Sequence, residues 1–282
     1  MRRLIIELMV ARLAVREVLC KSLLRRMDGD GGYTVNLYRG CSHGCVYCYA
    51  PSLIHDERRW GGFVDAKVNG PEVLARELRG ASKGVVFLSS ASDPYQPAEA
   101  RYGLTRRALM ALSTAGFPVT ILTRSPLVLR DLDVLSRFPW VRVGISISSV
   151  PGRAYEPGVA PVSRRIETLR RLGSAGIKTW VSLAPLIPEM MGIELPALLS
   201  ELKSAGVSSV APGMLRFQGY EKSRELFEEV SGLDSRSLVQ GGNRTLEQVN
   251  RLVGEAGFET HQRFFEWRAP VEEGYVQTSL LA

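Results

Sequence analysis

Residues 36–50 of the chain read NLYRGCSHGCVYCYA and hold three of its four cysteines. Cys41, Cys45 and Cys48 form a CxxxCxxC array, and Tyr47 stands directly before the last cysteine. Thiolates at this spacing can hold three irons of a cubane iron–sulfur cluster and leave the fourth iron open. Three clustered cysteines in a chain of 282 residues do not make a disulfide framework, so they indicate a metal site in a reducing compartment.

The array has two other interpretations. One is a structural zinc site, which needs four protein ligands in a closed tetrahedron, and the other is a set of three buried thiols. The array directly follows the first strand of an alternating pattern, and this position favours the cluster. Cys20 lies on the apolar stretch Leu13–Leu24, which predicts a helix, and we interpret it as a small buried hydrophobic residue. The candidates for a fourth zinc ligand are Cys20, His43 and His55.

Short β-branched apolar stretches alternate with amphipathic stretches along much of the chain. Gly116, Gly176 and Gly206 end three of the amphipathic stretches, as is typical of helix C-caps. The alternation predicts an α/β fold with a parallel sheet, open or barrel-like, whose working face is the carboxyl end of the strands. The predicted strands are Tyr33–Tyr38, Val85–Leu88, Pro118–Leu122, Val141–Ile147, Ile177–Leu183 and Val207–Val210. The predicted helices between them are Pro71–Leu78, Thr105–Ala115, Leu127–Ser136, Arg164–Ala175 and Glu194–Ala205, and a long loop is expected over Gly40–Asn69.

The composition is that of an ordinary globular protein, with 45% hydrophobic and 23% charged residues. The formal net charge of +7 favours an anionic partner such as nucleic acid. The alternative is a surface whose composition is basic overall without a specific partner, and the lack of a dense basic run fits this alternative. Glu7, Arg12 and Arg16 interrupt the apolar start of the chain, so we expect no signal peptide. No apolar run is long enough to span a membrane, and we expect a cytoplasmic monomer.

The pattern divides the chain into three parts. Residues 1–32 are expected to form an N-terminal helical extension, and residues 33–220 the α/β domain. Residues 221–282 are expected to form a C-terminal helical appendage, with helices at Glu221–Val230 and Thr245–Ala256.

The segment Asn36–Ala50 closely resembles the cysteine segment of the spore photoproduct lyase-like branch of the radical S-adenosylmethionine (SAM) superfamily. The resemblance spans about residues 33–190 and implies a partial (β/α)6 barrel with a small C-terminal appendage. It also implies a [4Fe–4S] cluster on the three cysteines, SAM bound at the open iron, and an electron donor of low potential. Such a site cleaves SAM to a 5′-deoxyadenosyl radical. The other similar segments are Ser92–Pro97, Leu104–Arg106, Leu122–Ser125, Leu129–Asp131, Val143–Ser148, Glu156–Gly158 and Ala184–Pro188.

The resemblance further implies which residues would contact SAM. Tyr47 would contact the adenine region, and a packed loop aromatic is the alternative. Arg124 stands where the branch usually has lysine and would bind the methionine carboxylate or the ribose, unless it is a solvated strand-end cation. Ser146 and Ser148 share one face of the fourth strand, where one would hydrogen-bond the ribose unless the two satisfy each other. The backbone ledge that meets adenine is expected at Leu186 and Ile187, which would otherwise only fill the core.

The substrate is expected at the end of the second strand. Asp93 and Tyr95 are the catalytic candidates there, with Gln96 beside them, and Arg216 after the sixth strand is a candidate for binding an anionic group. Spore photoproduct lyase uses a cysteine in this region to return a hydrogen atom, whereas the matching segment Ser89–Ser92 has none. The sequence therefore predicts a lyase-like or other radical transformation of an unidentified nucleic-acid-related or other anionic substrate. The alternative is a non-catalytic protein that binds zinc or an iron–sulfur cluster and nucleic acid.

Overall fold

Two β-sheets organise the chain, and the larger one follows the predicted alternation. The computed structural model describes residues 13–27, 32–149, 152–187, 194–215, 217, 220–235, 238 and 242–260. Its strands are β1 (Ala14–Val18), β2 (Leu24–Arg26), β3 (Tyr33–Val35), β4 (Tyr38–Arg39), β5 (Phe63–Lys67), β6 (Val86–Leu88), β7 (Val119–Thr123), β8 (Val141–Ile147), β9 (Lys178–Leu186), β10 (Ser209–Met214) and β11 (Glu259–Thr260). In the larger sheet they stand in the order β11-β10-β9-β8-β7-β6-β3-β2, and every pair is parallel except β2 with β3.

Helices connect the central strands at the predicted places. They are α1 (Ala50–Ile54), α2 (Gly70–Glu77), α3 (Ala98–Tyr102), α4 (Leu104–Thr114), α5 (Leu132–Leu135), α6 (Val162–Ser174), α7 (Leu195–Ser204), α8 (Glu221–Ser231) and α9 (Gly242–Glu255). A 3-10 helix over Pro126–Asp131 precedes α5, so the predicted helix Leu127–Ser136 consists of two short pieces. Gly176 and Gly206 follow α6 and α7 with φ of 77° and 76°, the left-handed conformation that favours glycine at a helix end.

Strand β8 shows how the larger sheet separates an outer face from an inner face. Val143, Ile145 and Ile147 are fully buried in the main hydrophobic core, together with residues of α6 such as Ile166. The residues that alternate with them, including Ser146, therefore point to the inner face. The carboxyl ends of β3 and β6–β10 meet at one edge of the sheet, which we call the mouth, and the cysteines follow β3 and β4 there.

Large side chains fill the inner face near the amino-terminal ends of the strands. Trp180 of β9 is fully buried and packs with Trp140 and Ala211. Gly144 of β8 makes room for it, because a Cβ at this position would come within 2.2 Å of the indole. The tryptophan cluster fills this end of the inner face, and the mouth lies at the opposite end of the same strands.

The structure corrects the predicted helix over Leu13–Leu24, and with it the helical character of the N-terminal extension. Ala14–Val18 forms β1, which pairs in parallel with β5 in the smaller sheet, of order β1-β5-β4. Pairing with an open strand edge satisfies its backbone groups and outweighs the helical pattern of its apolar residues. Cys20 lies half-buried after β1, where the Asn69 amide bonds its N–H (2.8 Å) and its carbonyl (2.9 Å). Residues 1–12 lie outside the described part of the chain.

The residues after 220 contain both predicted helices but join the rest of the fold more closely than an appendage would. α9 packs against β10, and β11 extends the larger sheet. α8 packs against α1, the helix that follows the cysteines. The boundary at residue 220 stays a prediction. None of the described helices is long and apolar enough to cross a membrane.

Candidate active site at the cysteine loop

Two glycines fix the path of the cysteine loop, which runs from β4 to α1. Gly40 has φ of 80°, and a Cβ there would lie 2.4 Å from the carbonyl oxygen of Phe63. Gly158, in the segment after β8, approaches the loop equally closely, because its Cβ would lie 2.5 Å from the carbonyl oxygen of Ser42. The loop is therefore held between β5 and the segment that follows β8. Larger residues at these two positions would push it away from the mouth.

The three cysteine side chains of the loop are the candidate metal ligands. Cys41 and Cys45 are buried and Cys48 is half-buried. Burial raises the pKa of Cys48 to about 11 and raises that of Cys45 as well, while the charge of Arg124 opposes both shifts. Among the described residues, no three His, Cys, Asp or Glu side chains stand close enough together to hold one metal ion. Three thiolates are the ligand set of a cubane cluster that leaves one iron open, so the donors present fit a [4Fe–4S] cluster.

A buried carboxylate, Glu156, links the cysteine loop to the mouth. Its Oε1 accepts hydrogen bonds from the hydroxyls of Tyr47 and Ser148 (2.9 Å for Ser148), and its Oε2 accepts one from Arg165 (2.6 Å). Arg165 also donates to the carbonyl of Ser146 (2.7 Å). Burial alone would raise the pKa of Glu156, but the cations of Arg165 and Arg124 outweigh it and hold this pKa below its usual value. The predicted ligand residues Tyr47, Ser146 and Ser148 therefore belong to one hydrogen-bonded network.

Arg124 follows β7 and brings a cation to the same network. Its Nε lies 3.7 Å from Oε1 of Glu156, and its guanidinium carbon lies 5.8 Å from the centre of the Tyr47 ring. The Nε is buried and has no hydrogen-bond partner among the described residues. Because Glu156 already accepts three hydrogen bonds from other groups, the guanidinium keeps donors that a carboxylate ligand can use. This buried donor beside the cysteines fits the methionine carboxylate of SAM.

Asp93, a predicted catalytic residue, is occupied by contacts within the protein. Its Oδ1 accepts from the Thr123 hydroxyl (2.6 Å) and the Tyr95 N–H (2.8 Å), and its Oδ2 accepts from the Arg124 N–H (2.7 Å). Nδ1 of His43 lies 3.3 Å from the same Oδ2. Burial alone would lower the pKa of His43, but Asp93 raises it to about 10. Asp93 therefore ties the cysteine loop to the end of β7.

Tyr95, the other catalytic candidate, does not lie at the mouth. Its side chain is fully buried in the main core, and its hydroxyl is near Asp131. Burial, followed by the Asp131 charge, raises its pKa well above the usual value. Gln96 holds the loop, since its Oε1 accepts from the Ser42 N–H (2.9 Å) and its Nε2 donates to the Gly40 carbonyl (3.2 Å). The catalytic role of Tyr95 gains no support from this position and stays a prediction.

The two residues of the predicted adenine ledge, Leu186 and Ile187, belong to different hydrophobic clusters. Ile187 packs with Cys45 and Tyr47, whereas Leu186 lies in the main core. The hydroxyl of Ser149 fixes the segment, because it accepts from the Ile187 N–H (2.8 Å) and donates to the Pro185 carbonyl (3.2 Å). Ile187 is therefore the ledge residue that reaches the loop. Arg216 and Pro188 lie outside the described residues.

Two features of the site escaped the sequence analysis. Glu156 is one residue of the similar segment Glu156–Gly158, and no local pattern indicates that its side chain meets Tyr47, Ser148 and Arg165. The apolar face of α8 packs on the cysteine loop through Phe227 and Val230, which share a cluster with Cys45 and Tyr47. The amphipathic pattern of α8 indicated a buried face but not what it covers.

Comparison with known proteins gives one match to a protein family and several to individual proteins. Residues 35–202 match the Radical SAM superfamily. An uncharacterized protein of Methanocaldococcus jannaschii is 34% identical over 167 residues, covering 57% of this chain and 63% of that protein. A radical SAM Nα-GlyT isomerase of Pseudomonas phage M6 is 26% identical over 253 residues, covering 84% of this chain and 50% of that protein. This chain thus spans less than two thirds of the length of either relative.

The solved structures of spore photoproduct lyase share the fold. A variant of that enzyme superimposes with a TM-score of 0.68 at 15% identity, over 87% of this chain and 80% of the other. Its complex with dinucleoside spore photoproduct gives 0.61 at 17% identity, over 77% and 66%. The predicted partial barrel is thereby confirmed. Since the family match covers more than half of the chain and contains Cys41, Cys45 and Cys48, the chain belongs to the radical SAM superfamily.

Proposed function

We propose that the protein is an enzyme that holds a [4Fe–4S] cluster on Cys41, Cys45 and Cys48 and uses it to cleave SAM. When bound and reduced, this cluster supplies the electron that releases methionine and a 5′-deoxyadenosyl radical from SAM. The observation that carries the proposal is the half-buried side chain of Arg124, which lies beside the cysteines and whose buried Nε has no hydrogen-bond partner among the described residues.

The residues of the network would bind and orient SAM. Arg124 would pair with the methionine carboxylate, and a charge-assisted bond of this kind is strongest where water is excluded. The Tyr47 hydroxyl donates to Glu156, which fixes the ring near the Arg124 guanidinium. The ring would offer an apolar surface for the adenosyl group. Ile187 and its backbone would supply the opposite surface, next to Cys45.

The proposed substrate is related to nucleic acid. The lyase with the similar fold has been solved with a dinucleoside photoproduct, and the formal charge of +7 on this chain favours an anionic substrate. The segment Ser89–Ser92 carries no thiol, so the chain lacks the cysteine that would return a hydrogen atom from this position. We therefore propose radical chemistry on a nucleotide unit, without the thiol-dependent repair step.

Anaerobic reconstitution followed by reduction with dithionite tests the proposal. The protein should bind SAM and release 5′-deoxyadenosine, detected by chromatography. Arg124→Gln should weaken SAM binding by about tenfold to a hundredfold, the worth of a charge-assisted hydrogen bond. Arg107→Gln is the matched control, because Arg107 is exposed and pairs with Glu72 on the surface.

Two results would contradict the proposal. If SAM binding is the same for Arg124→Gln and the control, Arg124 does not bind the carboxylate. If the protein takes up zinc with four ligands and releases no 5′-deoxyadenosine, the non-catalytic metal-binding alternative is correct.

A further inference from the structure

Helix α8 lies outside the region matched by the superfamily, which ends at residue 202, yet it contacts the cysteine loop. Ser223, Phe227 and Val230 are buried on one face of the helix, at the spacing of successive turns. Phe227 and Val230 pack in the cluster that contains Cys45. The C-terminal part of the chain therefore supplies one side of the cysteine site.

Leu226 occupies the central position in this contact. It packs against the cluster around Cys45 and also against the separate cluster of Cys41, Ala50 and Trp60, and Cys48 packs against both clusters as well. It is the described side chain of α8 that contacts both groups. Leu226 therefore lies against both apolar clusters to which the cysteines of the loop belong or against which they pack.

Polar contacts hold the first turn of α8 to the residues after Cys48. The hydroxyls of Ser52 and Ser223 lie 3.2 Å apart, and Lys222 donates to Glu57 (2.7 Å). The ring of Tyr49 lies 5.9 Å from the ring of Tyr220, just before the helix. The helix is thus fixed to α1 at one end and covers the loop with the apolar residues of its next two turns.

We infer that α8 is the outer wall of the iron–sulfur site and that Leu226 is the residue that keeps water and dioxygen from the cysteine sulfurs. The apolar shell around a metal centre controls its exposure to solvent, and for iron–sulfur clusters this exposure affects the reduction potential. Leu226 is a positioning residue in this role, since it contacts the loop and not a substrate. The part of the inference that concerns the cluster rests on the proposed function, whereas the part that concerns the thiols does not.

The experiment compares Leu226→Ala with Leu252→Ala. Leu252 is a matched control, because it is also half-buried on a C-terminal helix, α9, but packs against the main core. The reduced, metal-free full-length protein is alkylated with iodoacetamide, and mass spectrometry reports the rate at each cysteine. We expect Leu226→Ala to speed labelling of Cys41, Cys45 and Cys48 by about tenfold or more, because truncation loosens the local packing. Cys20 should label at an unchanged rate in both variants.

A second measurement follows the reconstituted protein in air. The visible absorption of the cluster should decay several-fold faster in Leu226→Ala than in the wild type or in Leu252→Ala. If Leu226→Ala is unfolded by circular dichroism, Leu226→Val and Leu252→Val replace the pair. Equal thiol rates in the variant and the wild type would overturn the inference. A wild-type protein that takes up no iron would instead refute the proposed function, with the thiol rates still deciding whether α8 shields the loop.

Discussion

Replacing Glu156 by glutamine should destabilise the protein far more than the loss of an ordinary surface charge. The wild-type carboxylate accepts from Tyr47, Ser148 and Arg165 and balances two buried or half-buried arginines. The side chain of Arg165 is only 3% exposed, so its charge cannot be solvated by water in place of the carboxylate. In Glu156→Gln, one side-chain atom becomes a donor, and it must face either Arg165 or the two hydroxyls.

The structure sets the size of this effect. Removing one partner of a buried ion pair costs about 3–5 kcal/mol, and glutamine keeps one acceptor, so we expect a loss of about 3 kcal/mol in the free energy of unfolding. The matched control is Glu167→Gln, because Glu167 pairs with Arg170 one turn later and both side chains are 45–46% exposed. The control should change the free energy by no more than about 0.5 kcal/mol.

Urea unfolding of the metal-free protein under anaerobic conditions, followed by circular dichroism, measures both variants. The difference between wild type and Glu156→Gln should also depend on pH. The pKa of Glu156 is lowered in the folded protein, so its stabilisation is present above the unfolded value of about 4.3 and is lost as the pH falls below it. The difference should therefore be full at neutral pH and shrink in acid. A loss no larger than that of Glu167→Gln, or one that does not change with pH, would refute the reasoning.

Three further predictions concern the metal, the packing of the barrel and the reaction. Cys45→Ala should lose the reconstituted iron while Cys20→Ala keeps it, and iron analysis that finds neither or both depleted contradicts the ligand assignment. Gly144→Ala should lower the free energy of unfolding by about 3 kcal/mol, because the added methyl group would overlap Trp180. Gly254→Ala is the control on α9, where the methyl group has open space, and it should change the free energy of unfolding by less than about 1 kcal/mol. Equal unfolding midpoints for the two variants would show that the indole moves aside. The reduced protein should yield little thymine from a dinucleotide spore photoproduct, since Ser89–Ser92 has no thiol; repair over many turnovers would mean that another residue donates the hydrogen.

The central barrel could be predicted from the sequence because its signals are local. β8 has the predicted bounds, Val141–Ile147, because a short run of apolar β-branched residues between a turn and a loop indicates a buried strand. β1 was missed for the opposite reason. It exists through pairing with β5, a partner far away in the chain, and its own residues form a pattern that also suits a helix.

The proposed metal ligands could be named from the sequence, and their surroundings only in part. The spacing of the cysteines is itself a chemical signal, and Tyr47 and Arg124 could be placed by resemblance. Glu156 gave no such signal, because its importance comes from the convergence of Tyr47, Ser148 and Arg165 from three separate segments. The contact between α8 and the loop is also long-range, and an amphipathic helix does not indicate which surface it will cover.

The tryptophan cluster at the amino-terminal ends of the strands limits how a large molecule can meet the site. Trp180 and Trp140 pack with Ala211 and fill this part of the barrel interior. If the proposed substrate is a polymer, a long strand would stay outside this end of the barrel and insert one unit at a time through the mouth. Substrate and product would then share the mouth, so each product would leave before the next unit enters.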